Sequence, residues 1–365
     1  MATFNFVGTL RAIKDTENFK GFTKTVYDSK WMTEKLRFNV IAGDNRHLVE
    51  INAGRWQQED KNTIYTFEKV EGNNKGKQIQ IPWNKRNDPE MINKVVGWRI
   101  FTADTDTFNH RKELEESGDA AALEASNNKR KHFLAGTDFC EYVNKIVNSD
   151  KIKDWKFRVT GNINYTYSEK RGTYYSTYEV TKIYRVDDDK APSSEINMDF
   201  YFAEGAMNSE AFEETGKAIV NGYTPFYDNT TKKNWFCPIT LAVRDKVKGW
   251  ENTFNKAADD EVKKIGLVCH KIDGAQRVDI RLEDLSDEVR ENIEYGLITE
   301  EEAIRDAGGQ MYGDRIQEIR IAGLGKGYSS GSEATMYTVD DLYKKPKIET
   351  VEEDDDDDLF DDDDL

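Results

Sequence analysis

Apolar and polar residues alternate at a two-residue period near the start of the chain. Phe4, Phe6, Gly8 and Leu10 are separated by polar neighbours, which gives a strand with one apolar face. Lys35–Ala42 and Leu48–Asn52 flank the turn-forming run Gly43-Asp44-Asn45-Arg46-His47 and predict a hairpin. Thr63–Phe67 and Gln78–Ile81 add extended pieces around a polar Gly72–Lys77 stretch. Residues 104–131 hold almost no large apolar side chain and read as a mobile loop or loosely packed helix. Phe139, Tyr142, Val143, Ile146 and Val147 then recur at helical spacing, with Thr137 or Asp138 as N-cap. Trp155–Val186 contains two β-rich runs meeting at Ser168-Glu169-Lys170-Arg171-Gly172, a long hairpin with a basic tip.

Three strands, a helix and two strands is the element order of an OB-fold. The expected first domain is therefore residues 1–190, an OB-fold with a polar insertion near 60–134. A second β-rich unit is expected over 195–343. Its strands are Asn197–Phe202, Lys217–Tyr227, Trp235–Arg244, Val262–His270, Gln276–Leu282 and Arg315–Ala322. A helix at Lys248–Ala258, two short helices within 286–307 with a Thr299/Glu302 capping box, and a Gly323–Gly331 loop complete it. This unit reads as a second, decorated OB-fold. The fold class is mainly β with α insertions: β-barrels with α+β decorations, followed by an acidic tail over 344–365.

The net charge of −17 is concentrated at the end of the chain. Residues 351–365, VEEDDDDDLFDDDDL, hold 11 acidic side chains, and without them the body stands at −6. Such a block cannot bury apolar surface and repels itself, so disorder is expected there. No run approaches the roughly 18 apolar residues of a membrane span, and the first residues lack a signal-peptide pattern. Cys140, Cys237 and Cys269 are odd in number and widely spaced, as in a reducing compartment. A cytoplasmic protein without a membrane partner is expected.

The hairpin mixes Lys156, Arg158, Lys170, Arg171, Lys182 and Arg185 with Tyr165, Tyr167, Tyr174, Tyr175, Tyr178 and Tyr184. Cations meet phosphates and flat rings stack on bases, so the mixture suits single-stranded nucleic acid of any sequence. Tyr is also a good strand former with half its residues in a core, but six tyrosines on alternating strands cannot all point inward. A second candidate surface comprises Lys24, Lys30, Trp31, Lys35, Arg37, Arg46, His47, Arg55 and Trp56. Trp31 there is either a stacking platform or a ring closing the end of the barrel.

The tail is a candidate partner-binding element: Asp354, Asp355, Asp356, Asp357, Asp358, Leu359, Phe360, Asp361, Asp362, Asp363, Asp364 and Leu365. Apolar residues among aspartates offer a partner an anchor and a charged rim; a purely solvating tail is the alternative.

The Lys- and Tyr-rich hairpin WKFRVTGNINYTY…GTYYSTYEVTKIYRV, followed by an Asp-rich tail ending in Leu, resembles single-stranded DNA-binding proteins of bacteria and their phages. The phage type is the nearer resemblance, because the chain is longer than the bacterial form and lacks its Asp-Ile-Pro-Phe ending. The resemblance implies sequence-independent binding of single-stranded DNA during replication, recombination or repair. It also implies a tail that recruits polymerase, primase–helicase or recombination proteins.

Catalysis has little support. P-loop, HExxH and GxSxG motifs are absent, and Gly323–Gly331 lacks P-loop spacing. Neither the cysteines nor His47, His110, His132 and His270 show metal-ligand spacing, so no metal or cofactor is expected. The competing function is an acidic-tailed chaperone or DNA mimic that binds basic proteins; a replication enzyme with an unrecognised active site is a third.

Overall fold

The computed structural model describes residues 2–346 apart from 256, 259, 280, 281, 283, 284, 307–309 and 330. The alternating N-terminal segment is strand β1 (Ala2–Ala12), which buries Ala2, Phe4, Phe6 and Leu10. β2 (Phe22–Val26) lies against β3 (Trp31–Ala42), and β3 turns into β4 (Asn45–Trp56). A long insertion follows: the two-stranded sheet β5 (Thr63–Val70) and β6 (Asn73–Pro82), helix α1 (Pro89–Lys94), β7 (Phe101–Asp104), helices α2 (Phe108–Ser117) and α3 (Ala120–Asn127), and β8 (Arg130–Phe133). Helix α4 (Gly136–Val147) and the hairpin β9 (Lys156–Ser168) and β10 (Thr173–Arg185) complete this half.

Pairing closes five of these strands into a barrel. β1 pairs with β9 from Ala2↔Ile163 to Thr9↔Lys156, then with β3 from Thr9↔Ile41 onward. β4 meets β10 in parallel at Glu50↔Glu179, and β10 pairs with β9. α4, between the third and fourth barrel strands, buries Phe139, Cys140, Val143, Ile146 and Val147 against them. The N-cap of α4 differs from expectation. The helix starts at Gly136 behind Ala135 without a side-chain cap, and Asp138 instead accepts a hydrogen bond from Arg86 at 2.8 Å.

The second half repeats this connectivity. Its elements are β11 (Ser193–Phe202), β12 (Met207–Asn208), α5 (Phe212–Thr215), β13 (Ala218–Asp228), β14 (Lys233–Val243), α6 (Val247–Phe254), β15 (Lys263–Asp279), α7 (Asp287–Glu294), α8 (Glu300–Asp306), β16 (Gln310–Leu324), β17 (Glu333–Ala334) and α9 (Val339–Tyr343). β11 pairs with β15 and, at Tyr201↔Tyr223, with β13. β13 pairs with β14, β14 meets β16 in parallel at Ala242↔Arg320, and β16 pairs with β15. The expected strands Val262–His270 and Gln276–Leu282 meet in the single strand β15, which runs to Asp279. The Thr299/Glu302 box forms: Glu302 N donates to Thr299 Oγ1 and Thr299 N to the Glu302 carboxylate.

The first strands of the two barrels pair with each other, antiparallel from Thr3↔Asn197 to Val7↔Ser193, so one sheet and one apolar core run through both. Residues 104–131 are a packed element, not a loose loop. Arg111 and Arg130 converge on buried Asp104, while Ser126, Lys129 and His110 converge on buried Asp106. Apolar periodicity is weak there because ion pairs replace greasy contacts. Among the described residues no helix is long and apolar enough to cross a membrane.

Candidate nucleic-acid interface

The outward face of β3 and β4 follows from strand alternation. Met32, Leu36, Phe38 and Val40 point into the barrel, so Trp31, Lys35 and Arg37 point away from it. Cross-strand partners complete the face: Trp31 stands opposite Trp56, Lys35 opposite Asn52, Arg37 opposite Glu50, and Ile41 opposite Arg46. Trp31 and Trp56 meet edge to face, with ring centroids 5.2 Å apart and planes at 75°. Gly54 makes room for this pair: a Cβ there would lie 2.4 Å from the Trp31 ring. Lys61 Nζ lies 5.7 Å from the Trp56 ring centre, and the Asn62 amide pins the Trp56 backbone at 2.8 and 3.0 Å.

Arg37 lies over the ring of Phe19, 4.9 Å from its centre, and pairs loosely with Glu50 at 3.6 Å. Phe19, in the connection between β1 and β2, was missed at the sequence level; a lone ring in a polar loop was the available signal. At Arg46 the face runs into a groove of about 560 Å³, whose walls include Phe19 and Leu48 and, from the second barrel, Lys271 and Arg315. Only the meeting of the barrels brings those last two cations to the groove, where both pair with Asp273 of the same wall, at 3.5 and 2.7 Å. The β15–β16 hairpin crosses the β3–β4 turn there, with Asp273 N donating to Asn45 Oδ1 at 3.0 Å.

The β9–β10 hairpin corrects several expectations. Tyr165 and Tyr178 are buried, 9% and 8% exposed, and cannot meet a ligand. Tyr178 packs against Phe4 and Phe6, with Lys271 Nζ 4.6 Å from its ring centre, and Tyr165 packs toward Phe226. Burial drives both hydroxyls above the usual tyrosine range. Tyr174 is half-buried against Phe226, and Tyr167 meets Tyr174 at a tilt, with ring centroids 4.8 Å apart. Of the six hairpin tyrosines, Tyr165 and Tyr178 are lost to solvent because the second barrel packs against the inner side of the hairpin, while Tyr175 stays exposed and Tyr167, Tyr174 and Tyr184 are half-buried.

Tyr175 is exposed, and its hydroxyl accepts from Arg171 at 3.3 Å; Lys170 and Arg171 stand exposed at the tip. Lys156 is spent on the backbone carbonyls of Asp188 and Lys190, at 2.6 and 2.9 Å. Arg158 lines a separate cavity beside the insertion, with Arg130 and Tyr184, and Lys182 is half-buried where β10 pairs with both β7 and β9. His47 is also corrected. It is fully buried, stacked on Phe6 at 4.2 Å, with Nε2 2.7 Å from Ser194 Oγ. Burial, reinforced by the charge of Lys271, lowers its pKa to about 3.

The sequence-level residues that share one surface are therefore Trp31, Lys35, Arg37, Arg46 and Trp56. Cations, rings and a shallow groove along two strands can bind a flexible anionic chain by its phosphates and bases. No family model and no curated protein matches the chain. Among solved structures it is similar to the wild-type single-stranded DNA binding protein of Thermus aquaticus. That likeness has 7% identity and a TM-score of 0.32, covering 74% of this chain and 85% of that one. A deletion mutant of the same protein gives 9% and 0.31, over 74% and 87%. Likeness at this level leaves function to be read from the residues.

The tail residues Asp354 to Leu365 lie outside the described residues. Cys140, Cys237 and Cys269 are buried free thiols whose pKa burial pushes up to about 12, and no metal-ligand cluster occurs among the described residues.

Proposed function

We propose that the chain binds single-stranded DNA without sequence preference, on two OB-folds, with the strand moving across the β3–β4 face of the first. The observation that carries this reading is the juxtaposition on one outward face of the Trp31–Trp56 pair with Lys35, Arg37 and Arg46. In an OB-fold the face of the second and third strands, with the flanking loops, is where oligonucleotides lie. Aromatic platforms beside cations bind any base sequence, because every base has a π-face. The Phe19 loop and the hairpin tip at Lys170 and Arg171 are the corresponding loops here.

On this reading residues 1–190 and 195–343 are the two domains and the protein is non-catalytic. The tail from 344 to 365 recruits replication, recombination or repair proteins, as in the phage-type proteins it resembles. The test is titration of intrinsic Trp fluorescence with oligothymidine at rising salt, with duplex DNA as competitor. Quenching that salt abolishes and duplex does not displace supports the reading. No quenching of the whole chain and none of a chain ending at Thr350 would together overturn it and favour an acidic chaperone or DNA mimic.

A further inference from the structure

Because the barrels share one connectivity, β13 and β14 occupy in the second the place of β3 and β4 in the first. Both pairs follow the barrel's first strand, lead into a helix, and send their second member into parallel contact with the last strand. The outward face of β13 and β14 is aromatic too: Tyr223 stands opposite Pro238, and Pro225 opposite Phe236. Unlike its counterpart, this face is partly covered, around Phe236 and Tyr223, and the cover is the chain's own C-terminal segment; Pro238 and Tyr227 stay exposed.

The segment is held to the barrel at two points, through Thr335 and Leu342, and ordered between them by its own capping box. Thr335 donates from both its backbone N and its hydroxyl to the Val262 carbonyl, at 3.2 and 2.8 Å. Thr338 and Asp341 close a capping box that starts α9. Leu342 is buried, 2% exposed, beside Tyr201, Phe236 and Val262. Rings lie over rings between these points. Tyr337 meets Phe236 at 4.9 Å and Tyr201 at 5.8 Å, and Tyr343 meets Tyr223 at 5.8 Å, all edge to face.

We propose that the β13–β14 face is a second single-strand stacking site, kept shut by residues 335–343, whose rings take the positions bases would occupy. The inference rests on the reading of the first face as a DNA site. α9 has five residues, too few to persist as a helix away from the barrel. Its position therefore depends on Leu342 and the rings, which a ligand can replace one by one. The tether keeps the segment at high effective concentration, so a weakly held strand does not open the face. A long strand already anchored on the first barrel competes on equal, intramolecular terms.

The experiment is hydrogen exchange on the full chain, alone, with an oligothymidine short enough to fill one barrel, and with one long enough for two. The short strand should slow exchange in residues 31–56 and leave 335–343 unchanged. The long strand should speed exchange in 335–343 severalfold. Protection of 31–56 with 335–343 unchanged or slowed by the long strand overturns the proposal while leaving the first face intact as a site. No change anywhere overturns the reading of the first face, and this proposal with it. A Leu342→Asp variant, which places a charge in the apolar contact, should tighten binding of the long strand severalfold, because the segment no longer has to be displaced. Unchanged affinity for the long strand in a folded Leu342→Asp protein, with 335–343 exchanging freely, also overturns the proposal.

Discussion

Replacing Trp56 by Ala separates stacking from charge on the β3–β4 face. The backbone at this position is held by Asn62, so truncation removes the ring while the strand end stays in place. Three contributions go with the ring. Its edge-to-face contact with Trp31 is worth about 0.5–1.5 kcal/mol and its contact with Lys61 about 0.5–1 kcal/mol, both in folding stability. A stacked base is worth about 1–3 kcal/mol, in binding alone. Trp56→Ala should therefore weaken oligothymidine binding roughly 5- to 150-fold at fixed salt. Urea unfolding should show a loss of about 1–2 kcal/mol. No charge is removed, so the slope of log affinity against log salt should stay unchanged. Arg37→Ala should do the reverse in the slope, lowering its magnitude by about 0.7 if one phosphate contact is lost. Anisotropy of a labelled oligothymidine is the suitable assay, because it does not depend on the Trp residues removed. A folded Trp31→Ala/Trp56→Ala double variant that binds like the parent would refute the assignment of this face.

Three further outcomes concern the frame around the site. His47 has a folded pKa of about 3, below its unfolded value, so the unfolded state takes up the proton first. Stability should fall as pH drops from about 6.5 toward 3, by up to roughly 4–5 kcal/mol. His47→Gln should flatten that part of a urea-midpoint-against-pH curve; an equally steep curve would place the titrating group elsewhere. Asp104→Asn leaves Arg111 buried without its counter-charge and should cost about 3–5 kcal/mol in chemical unfolding. Burial raises the Asp104 pKa, but the hydrogen bonds from Arg111 and Arg130 outweigh it and the net shift is downward. Its contribution is thus present above the ordinary carboxylate pKa and lost as pH falls through the lowered one. Gly274→Ala would set a Cβ 2.0 Å from the Asp44 carbonyl oxygen, where the β15–β16 hairpin crosses the first barrel. Overpacking there should cost about 1–3 kcal/mol, and a neutral thermal melt would show that the crossing is loose.

Much of the barrel architecture was legible because local patterns encode it. Alternation marked the strands, the helical stripe from Phe139 to Val147 marked the helix between the third and fourth, and the basic turn marked the long hairpin. Weak patterning misled at 104–131, where Asp104 and Asp106 organise helices through ion pairs that leave no hydrophobic period.

Which residues share a face of a strand is set by the two-residue period, and the sequence alone determined that Trp31, Lys35 and Arg37 stand together. It also determined that Tyr165 and Tyr167 stand together on β9. Whether a face meets water is another matter, decided by what packs on it from far along the chain. Tyr165 and Tyr178 are lost to solvent because the second barrel lies against them, and Lys271 and Arg315 reach the groove for the same reason. A register shift between Val180 and Lys182 puts buried Ile183 and buried Val180 on one side of β10 although two residues, not one, lie between them. Phe236 and Tyr223 on the outward face of β13 and β14 are covered by residues more than 90 positions downstream. Period is a property of consecutive residues, whereas burial is a property of contacts, and those contacts exist only once the two barrels and the C-terminal segment have come together.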